Sequence, residues 1–311
     1  MLMNEKLLRD AFGDFLAQNG DHYPELVVLD ADLSSSTRTN RFAQRFPRKF
    51  FNFGIAEQNM MGAAIGFAIS GKMPVVSGFS IFTTGRAWEF IRLICHDNLN
   101  VKIITTHGGL VGEDGSTHNA LEDLSLMGTL PNISILIPSD IIELKEMLKC
   151  ALNSNGPFYI RLPRGSFQTI HNPHFKLHMG SPEILKEGKD ICLIGIGSGA
   201  SLASTAAEII ERDRKISIKV INLSTIKPIN VPTLISALKN VNKIIIIEEH
   251  NTYCGAGSIL TRIISEHTPK LIKVLGIEDS FGESGSRVKL LEKYGFTLQN
   301  LLIQMNKILD R

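Results

Sequence analysis

Glu57 stands in NFGIAEQNMMGAAIGFA, residues 52–68, directly after an apolar run and at the start of a helical pattern of small side chains. A carboxylate there has two readings. In the first turn of a helix it offsets the helix dipole, an effect worth about 0.3–1 kcal/mol. Alternatively, Ile55, Ala56, Met60 and Met61 could wall the carboxyl with apolar atoms, raise its pKa and let it exchange a proton with a ring nitrogen. Phe79 and Phe82, in SGFSIFTTG, are either core aromatics or a platform on which a flat heterocycle could stack. The loop HGGLVGEDGSTH, 107–118, sets His107, Asp114 and His118 among glycines, where backbone can approach a ligand closely. The wide gap between His107 and His118 matches no compact metal-ligand spacing.

Positioning such groups takes strands. Short β-branched runs, ELVVLD, KFFNFG, MPVVSGF, VKIITT, ISILIP and FYIRLP, then DICLIGIG, SIKVINL, NKIIIIEE and KLIKVLGI, alternate with helical patterns. That rhythm predicts an α/β chain of two domains with mainly parallel sheets flanked by helices. The segment PRGSFQTIHNPHFKLHMGSPE interrupts it and reads as a linker, giving a first domain at 1–165, a linker at 166–185 and a second domain at 186–311. Its His171, His174 and His178, which Pro173 keeps off a common helical face, read as linker surface. In open α/β sheets ligands sit beyond the carboxyl ends of strands. There the first half offers Asp32 and Ser36, then Glu57, then Phe79 and Phe82, then His107, Asp114 and His118, then Arg164.

Composition narrows the function classes. The 311 residues are 43% hydrophobic, enough for two sizeable cores. Lys plus Arg total 33 against 31 Asp plus Glu with no long run of either sign, which argues against a nucleic-acid binder. The four cysteines form no C-x-x-C pair, so neither zinc nor a disulfide framework is expected and a reducing cytoplasm fits. MLMNEKLLRDAFGDFLAQ reads as an amphipathic helix, not a signal core, and apolar runs such as IIII at 244–247 fall far short of the roughly 20 residues that span a bilayer, so no membrane role is expected. GIGSGAS, 195–201, lacks the acid that a dinucleotide site needs downstream and reads as a tight strand-to-helix turn; the EEH at 248–250 is assigned no chemistry. Gly62, Ala63, Gly66 and Ser70 form a small-residue face that would let another subunit approach closely.

In order and spacing, ADLSSST, NFGIAEQNM, GFSIFTTGRAWE, THGGLVGEDGSTHNALEDL and YIRLPRG resemble the second half of transketolases, and IIIIEEHNTYCGAGS extends the resemblance through the C-terminal domain. The resemblance implies the thiamine diphosphate-binding pyrimidine domain fold followed by the transketolase C-terminal domain. It implies that Glu57 is the catalytic glutamate that hydrogen-bonds N1′ of the cofactor's aminopyrimidine, and that Phe82, with Phe79 beside it, stacks on that ring. Arg9, Ser36, His107 and Arg164 match positions that hold the sugar phosphate, and Asp114 and His118 match readers of substrate hydroxyls; His107 and His118 count among the catalytic set.

Two departures qualify the match. Gly85 stands where family members often continue the aromatic cluster with Tyr, so pyrimidine packing is expected to be completed differently. The Gly-Asp-Gly motif and Asn ligands that bind Mg2+ and the diphosphate are absent, so no metal ligand is expected in this chain. Because Met1 leads through a helix straight into the first strand, the expectation is a naturally split transketolase. Its partners would be an N-terminal-half, diphosphate-binding subunit and a second copy of this chain within an α2β2 assembly. The β subunit of a 2-oxo acid dehydrogenase shares the layout, but the His107 loop and Arg164 favour sugar handling; a deoxyxylulose phosphate synthase would be expected to carry Arg at position 107. A non-catalytic scaffold retaining the fold is the alternative of a different class.

Overall fold

The structure, a computed structural model, describes residues 7–165, 168–213 and 215–310. The proposed linker boundary at 166 and the first six residues of the stretch expected to be an amphipathic helix lie outside these. By contacts the chain divides into two compact units, the first of residues 1–108 and 126–177, the second of 109–125 and 178–311.

The first unit holds β1 (Leu26–Asp30), β2 (Phe50–Asn52), β3 (Met73–Phe79), β4 (Lys102–Gly108), β5 (Ser134–Leu136) and β6 (Phe158–Pro163). They lie side by side in the order β5-β6-β4-β3-β1-β2, every pair parallel. All residues of β1, β3, β4 and β6 are buried, which is why these strands read as unbroken apolar runs and not as alternating ones. From β1 the chain steps out to β2, then returns across β1 to β3. The carboxyl ends of β1 and β3 therefore flank a topological switch point, where parallel sheets leave a crevice for ligands.

Helices on either side close this sheet. Leu8–Asn19 buries Leu8, Phe12, Phe15 and Leu16 in a core shared with Leu144, Met147 and Leu148 of the helix Ile141–Leu152. In the helix Glu57–Ile69, Glu57, Met60, Met61 and Ala64 are buried, a stripe at helical spacing. The opposite side leaves Ile69 exposed.

His171 corrects the expectation of a linker surface. It is buried, because Asp140 accepts its ring Nδ1–H at 2.8 Å and the backbone N–H groups of Ile170 and His171 at 2.8 Å each. Phe175 packs on the ring with centroids 4.1 Å apart. His174 and His178 are exposed.

In the second unit β7 (Glu183–Lys186), β8 (Ile191–Gly195), β9 (Ile218–Asn222), β11 (Lys243–Asn251) and β12 (Leu271–Ile277) form a sheet in the order β12-β11-β8-β9-β7. Only β7 in it is antiparallel to its neighbour, and the short β10 (Thr225–Lys227) stands outside it. Gly195 and Gly199 make the tight turn expected of GIGSGAS: a Cβ on Gly195 would lie 2.3 Å from the Ala200 Cα, and one on Gly199 2.3 Å from the Ile247 carbonyl oxygen. Among the described residues no helix is long and apolar enough to cross a membrane.

Candidate active site

Glu57 opens its helix straight after the β2 turn, where Gly54 takes a positive φ of 68° to redirect the backbone. Its carboxyl is 5% exposed. The apolar wall expected of Ile55 is missing, because that side chain is 77% exposed and points away into solvent. Met60 and Met61, one turn on along the same helix face, are fully buried. What meets the carboxyl is a cation: Arg86 Nη1 donates to Glu57 Oε1 at 3.1 Å and to Oε2 at 3.4 Å.

Phe79 ends β3, and Phe82 begins a π-helical turn, Phe82–Arg86, that leads into the helix Trp88–His96. Such wide turns recur at functional sites because they hold one residue more than an α-turn. The two rings stack with centroids 6.0 Å apart and planes inclined by 24°. Phe79 is 7% exposed and serves the core, whereas Phe82 is only half-buried. Arg86 lies over the Phe82 ring, its guanidinium carbon 4.3 Å from the centroid. It thus stands beside the aromatic pair one residue after Gly85, which is exposed.

His107 extends the stack, its imidazole 3.9 Å from the Phe79 centroid. The residue has a φ of 63° at the end of β4, an uncommon state for a side-chain-bearing residue, and its Nδ1 pairs with the Thr106 hydroxyl at 2.8 Å. Glu57, Arg86, Phe82, Phe79 and His107 form one contiguous row along the carboxyl edge.

Arg9 and Ser36 meet in the first unit, and the charge of Arg164 is felt at Arg9. Arg9 Nη1 donates to the Ser36 carbonyl at 3.2 Å. Burial lowers the Arg9 pKa from its ordinary value, Arg38 lowers it further, Asp10 opposes them, and Arg164 adds to the depression. A guanidinium gathered with two others is a setting that an anion would relieve. Asp30 shapes the Ser36 segment: its carboxyl accepts the Leu33 N–H at 2.6 Å and the hydroxyls of Thr37 and Thr39 at 2.9 Å each. Burial raises the Asp30 pKa and Asp32 adds to that, while these three donors oppose it. Asp32 itself is exposed and pairs with Asn52, its backbone N–H donating to the amide oxygen at 3.0 Å.

Asp114 and His118 belong to the second unit, on the loop 109–125. Asp114 is exposed and His118 half-buried, with its Nδ1 3.1 Å from the Thr117 hydroxyl. This loop is held by residues to which sequence reasoning gave no role. Glu249 Oε1 accepts the Leu110 N–H at 2.9 Å, and Arg287 Nη1 donates to the Leu110 carbonyl. Gly109, with a φ of 86°, lies so close that a Cβ would stand 2.4 Å from Glu249 Oε1. Further along, the Leu124 N–H donates to His250 Nε2 at 3.2 Å and Asn119 Oδ1 accepts the Val111 N–H at 2.7 Å. The EEH stretch is therefore an anchor for the loop. The sequence signal that could have found it is two acids near the end of a long apolar strand run.

The row around Glu57 suits a planar, nitrogen-bearing ring. The Arg86 guanidinium is itself planar, lies over Phe82 and hydrogen-bonds the Glu57 carboxyl; an aminopyrimidine would use the same two surfaces, its face on Phe82 and its ring nitrogen sharing a proton with that carboxyl. The chemistry of the donor set therefore fits the pyrimidine end of thiamine diphosphate.

Comparison with known proteins agrees. Residues 5–169 match the transketolase pyrimidine binding domain and 180–301 the transketolase C-terminal domain. The chain is 39% identical over 296 residues to a Methanocaldococcus jannaschii chain assigned as a transketolase C-terminal section, covering 93% of this chain and 92% of that one. It is 30% identical over 311 residues to the 6-deoxy-6-sulfo-D-fructose transketolase subunit SqwH of Clostridium sp. strain MSTE9, covering 99% and 96%. Against the 1-deoxy-D-xylulose-5-phosphate synthase of Carboxydothermus hydrogenoformans it is 35% identical but spans only 49% of that protein. Among solved structures, a split gene transketolase described as an inactive β4 tetramer superposes with a TM-score of 0.90 at 40% identity, covering 97% of this chain and 98% of that one. The transketolase of Campylobacter jejuni gives 0.80 at 25% identity, covering 96% and 46%. The chain belongs to the transketolase family, and it comprises the pyrimidine-binding and C-terminal domains.

Proposed function

We infer that this chain is one subunit of a split thiamine diphosphate-dependent transketolase, which moves a two-carbon ketol unit from an anionic ketose to an aldose. The observation that carries the reading is the buried Glu57 carboxyl joined through one planar group to the face of Phe82. Bound there, thiamine diphosphate supplies a nucleophilic ring carbon and an electron sink. This chain's part is to hold a proton at the Glu57 carboxyl against the pyrimidine nitrogen, with Phe82 fixing the plane of the ring and Phe79 backing it. The positive charges of Arg38 and Arg164 acting on the partly buried Arg9, which is tied to the Ser36 carbonyl, support an anion site for the sugar's charged end. His107 at the head of the aromatic row would face the reacting carbons, and Asp114 and His118 would read hydroxyls as the family resemblance implies. Mg2+ and the diphosphate are assigned to a separate N-terminal-half subunit, and a second copy of this chain completes the assembly.

The match to a sulfosugar transketolase subunit along nearly its full length favours one variation, in which the donor's anion is a sulfonate. The test of the reading is ketol transfer by the chain purified with its diphosphate-binding partner. Phosphorylated and sulfonated ketoses are offered in parallel, with thiamine diphosphate and Mg2+ present. Transfer from either supports it. Activity that requires a lipoyl carrier would replace it with the oxo-acid dehydrogenase alternative, and no cofactor binding by the intact pair would point to a scaffold.

A further inference from the structure

Arg86 is the one cation that touches both Glu57 and Phe82 among the described contacts. Its guanidinium spans the carboxyl and the ring face, the two surfaces that the proposed function assigns to the cofactor's pyrimidine. Both groups cannot use them at once. We propose that Arg86 is a displaceable counter-ion: it caps Glu57 and covers Phe82 until the cofactor arrives, and it must swing out for the ring to bind. This inference rests on the assignment of the site to thiamine diphosphate.

Local structure suits a side chain that moves while its backbone stays. The Arg86 carbonyl accepts the Gln58 side-chain N–H at 3.1 Å, which ties the turn to the Glu57 helix. Thr84 is buried, its hydroxyl donating to the Ser80 carbonyl at 2.7 Å. The Arg86 side chain, by contrast, is 52% exposed against 5% for Glu57, so it has solvent to move into. Glu57 has the opposite problem. A carboxylate that buried is costly without a donor, and the π-helical turn Phe82–Arg86 delivers one from the next strand end along. When a pyrimidine nitrogen comes to share a proton with that carboxyl, Arg86 is released into water at a modest cost, since partly exposed ion pairs are weak. Apparent affinity is then set by the fraction of molecules in which Arg86 is already out.

Thiamine diphosphate is titrated with Mg2+ into the complex of this chain with its diphosphate-binding partner, and the dissociation constant and association rate are measured by calorimetry and stopped-flow. Arg86→Met keeps the bulk and removes the cation; Arg86→Lys keeps the charge without the planar stack. The expected result is about tenfold tighter and faster binding for R86M, the size of one partly exposed ion pair with one cation–π contact, and a smaller gain for R86K. Unchanged or weaker binding by R86M, with the wild type binding normally, overturns the counter-ion role and leaves the cofactor assignment standing. Failure of the wild-type complex to bind thiamine diphosphate at all overturns that assignment, and the counter-ion role with it.

Discussion

Arg287 clasps Glu249 with both ends of its guanidinium, Nη1 to Oε1 at 2.6 Å and Nη2 to Oε2 at 2.7 Å. The acid is 2% exposed and also takes the Leu110 N–H and the Ser198 hydroxyl, so this pair fixes the base of the loop that carries Asp114 and His118. Arg287→Met leaves a buried carboxylate without its cation. We expect a loss of about 2–4 kcal/mol, at or below the full cost of orphaning a buried charge because Arg287 retains some exposure. Hydrogen exchange at Leu110–Leu121 should accelerate, and urea unfolding gives the free energy.

Glu57→Ala is expected to reduce turnover to near zero, since Glu57 is the buried acid that Arg86 joins to the Phe82 ring. Proton exchange at C2 of thiamine diphosphate, followed by NMR in the assembled complex, separates this from a folding defect. Exchange at the wild-type rate would remove Glu57 from the chemistry.

Arg164→Ala should act on substrate binding. Arg164 contributes to the cationic setting that lowers the Arg9 pKa, so its loss is expected to raise KM for anionic ketoses about tenfold or more with kcat little changed. A sugar without its anionic group should show no such difference. An unaltered KM would take Arg164 out of the anion site.

The Asp140–His171 pair predicts an acid-sensitive segment. Burial pushes the Asp140 pKa up, but the bond from the His171 ring and those from the Glu143 and His171 N–H groups outweigh it, and the carboxyl lies below its usual range. A carboxylate depressed in the folded state contributes stability that is complete above its unfolded pKa near 4 and is lost as pH falls through its folded value. Limited proteolysis of residues 168–177 should therefore be slow at pH 6 and accelerate below about pH 4. Asp140→Asn, which weakens the cap of the helix Ile141–Leu152 as well, should lose about 1–3 kcal/mol in urea and flatten that pH dependence.

Ten of the strands were legible in the sequence as apolar or β-branched runs, six of them, β1, β3, β4, β6, β8 and β9, because every residue is buried. β7 was not, since EILK is a short, half-buried edge strand just after Pro182 and carries no apolar run. At the site, Glu57 and Phe82 could be found from local motifs, each standing just beyond the end of a strand. Arg86 could not, because its partnership with Glu57 joins residues 29 apart that only the sheet brings together. The same holds for Leu110 and Glu249, 139 residues apart. His171 was misread for a related reason: Pro173 does forbid a helical face, but the carboxylate that buries the ring lies 31 residues earlier.

The loop 109–125 belongs by its contacts with the second unit, yet the chain returns at residue 126 to finish the first. The boundary between the units is therefore crossed more than once along the polypeptide, and no single cut separates one from the other. A gene truncated after the last strand of the first unit would still encode Asp114 and His118, but would strand them without Glu249, His250 and Arg287. Any recombination that exchanges the carboxyl-terminal portion swaps the scaffold of that loop along with it, so its inheritance is tied to residues more than a hundred positions downstream.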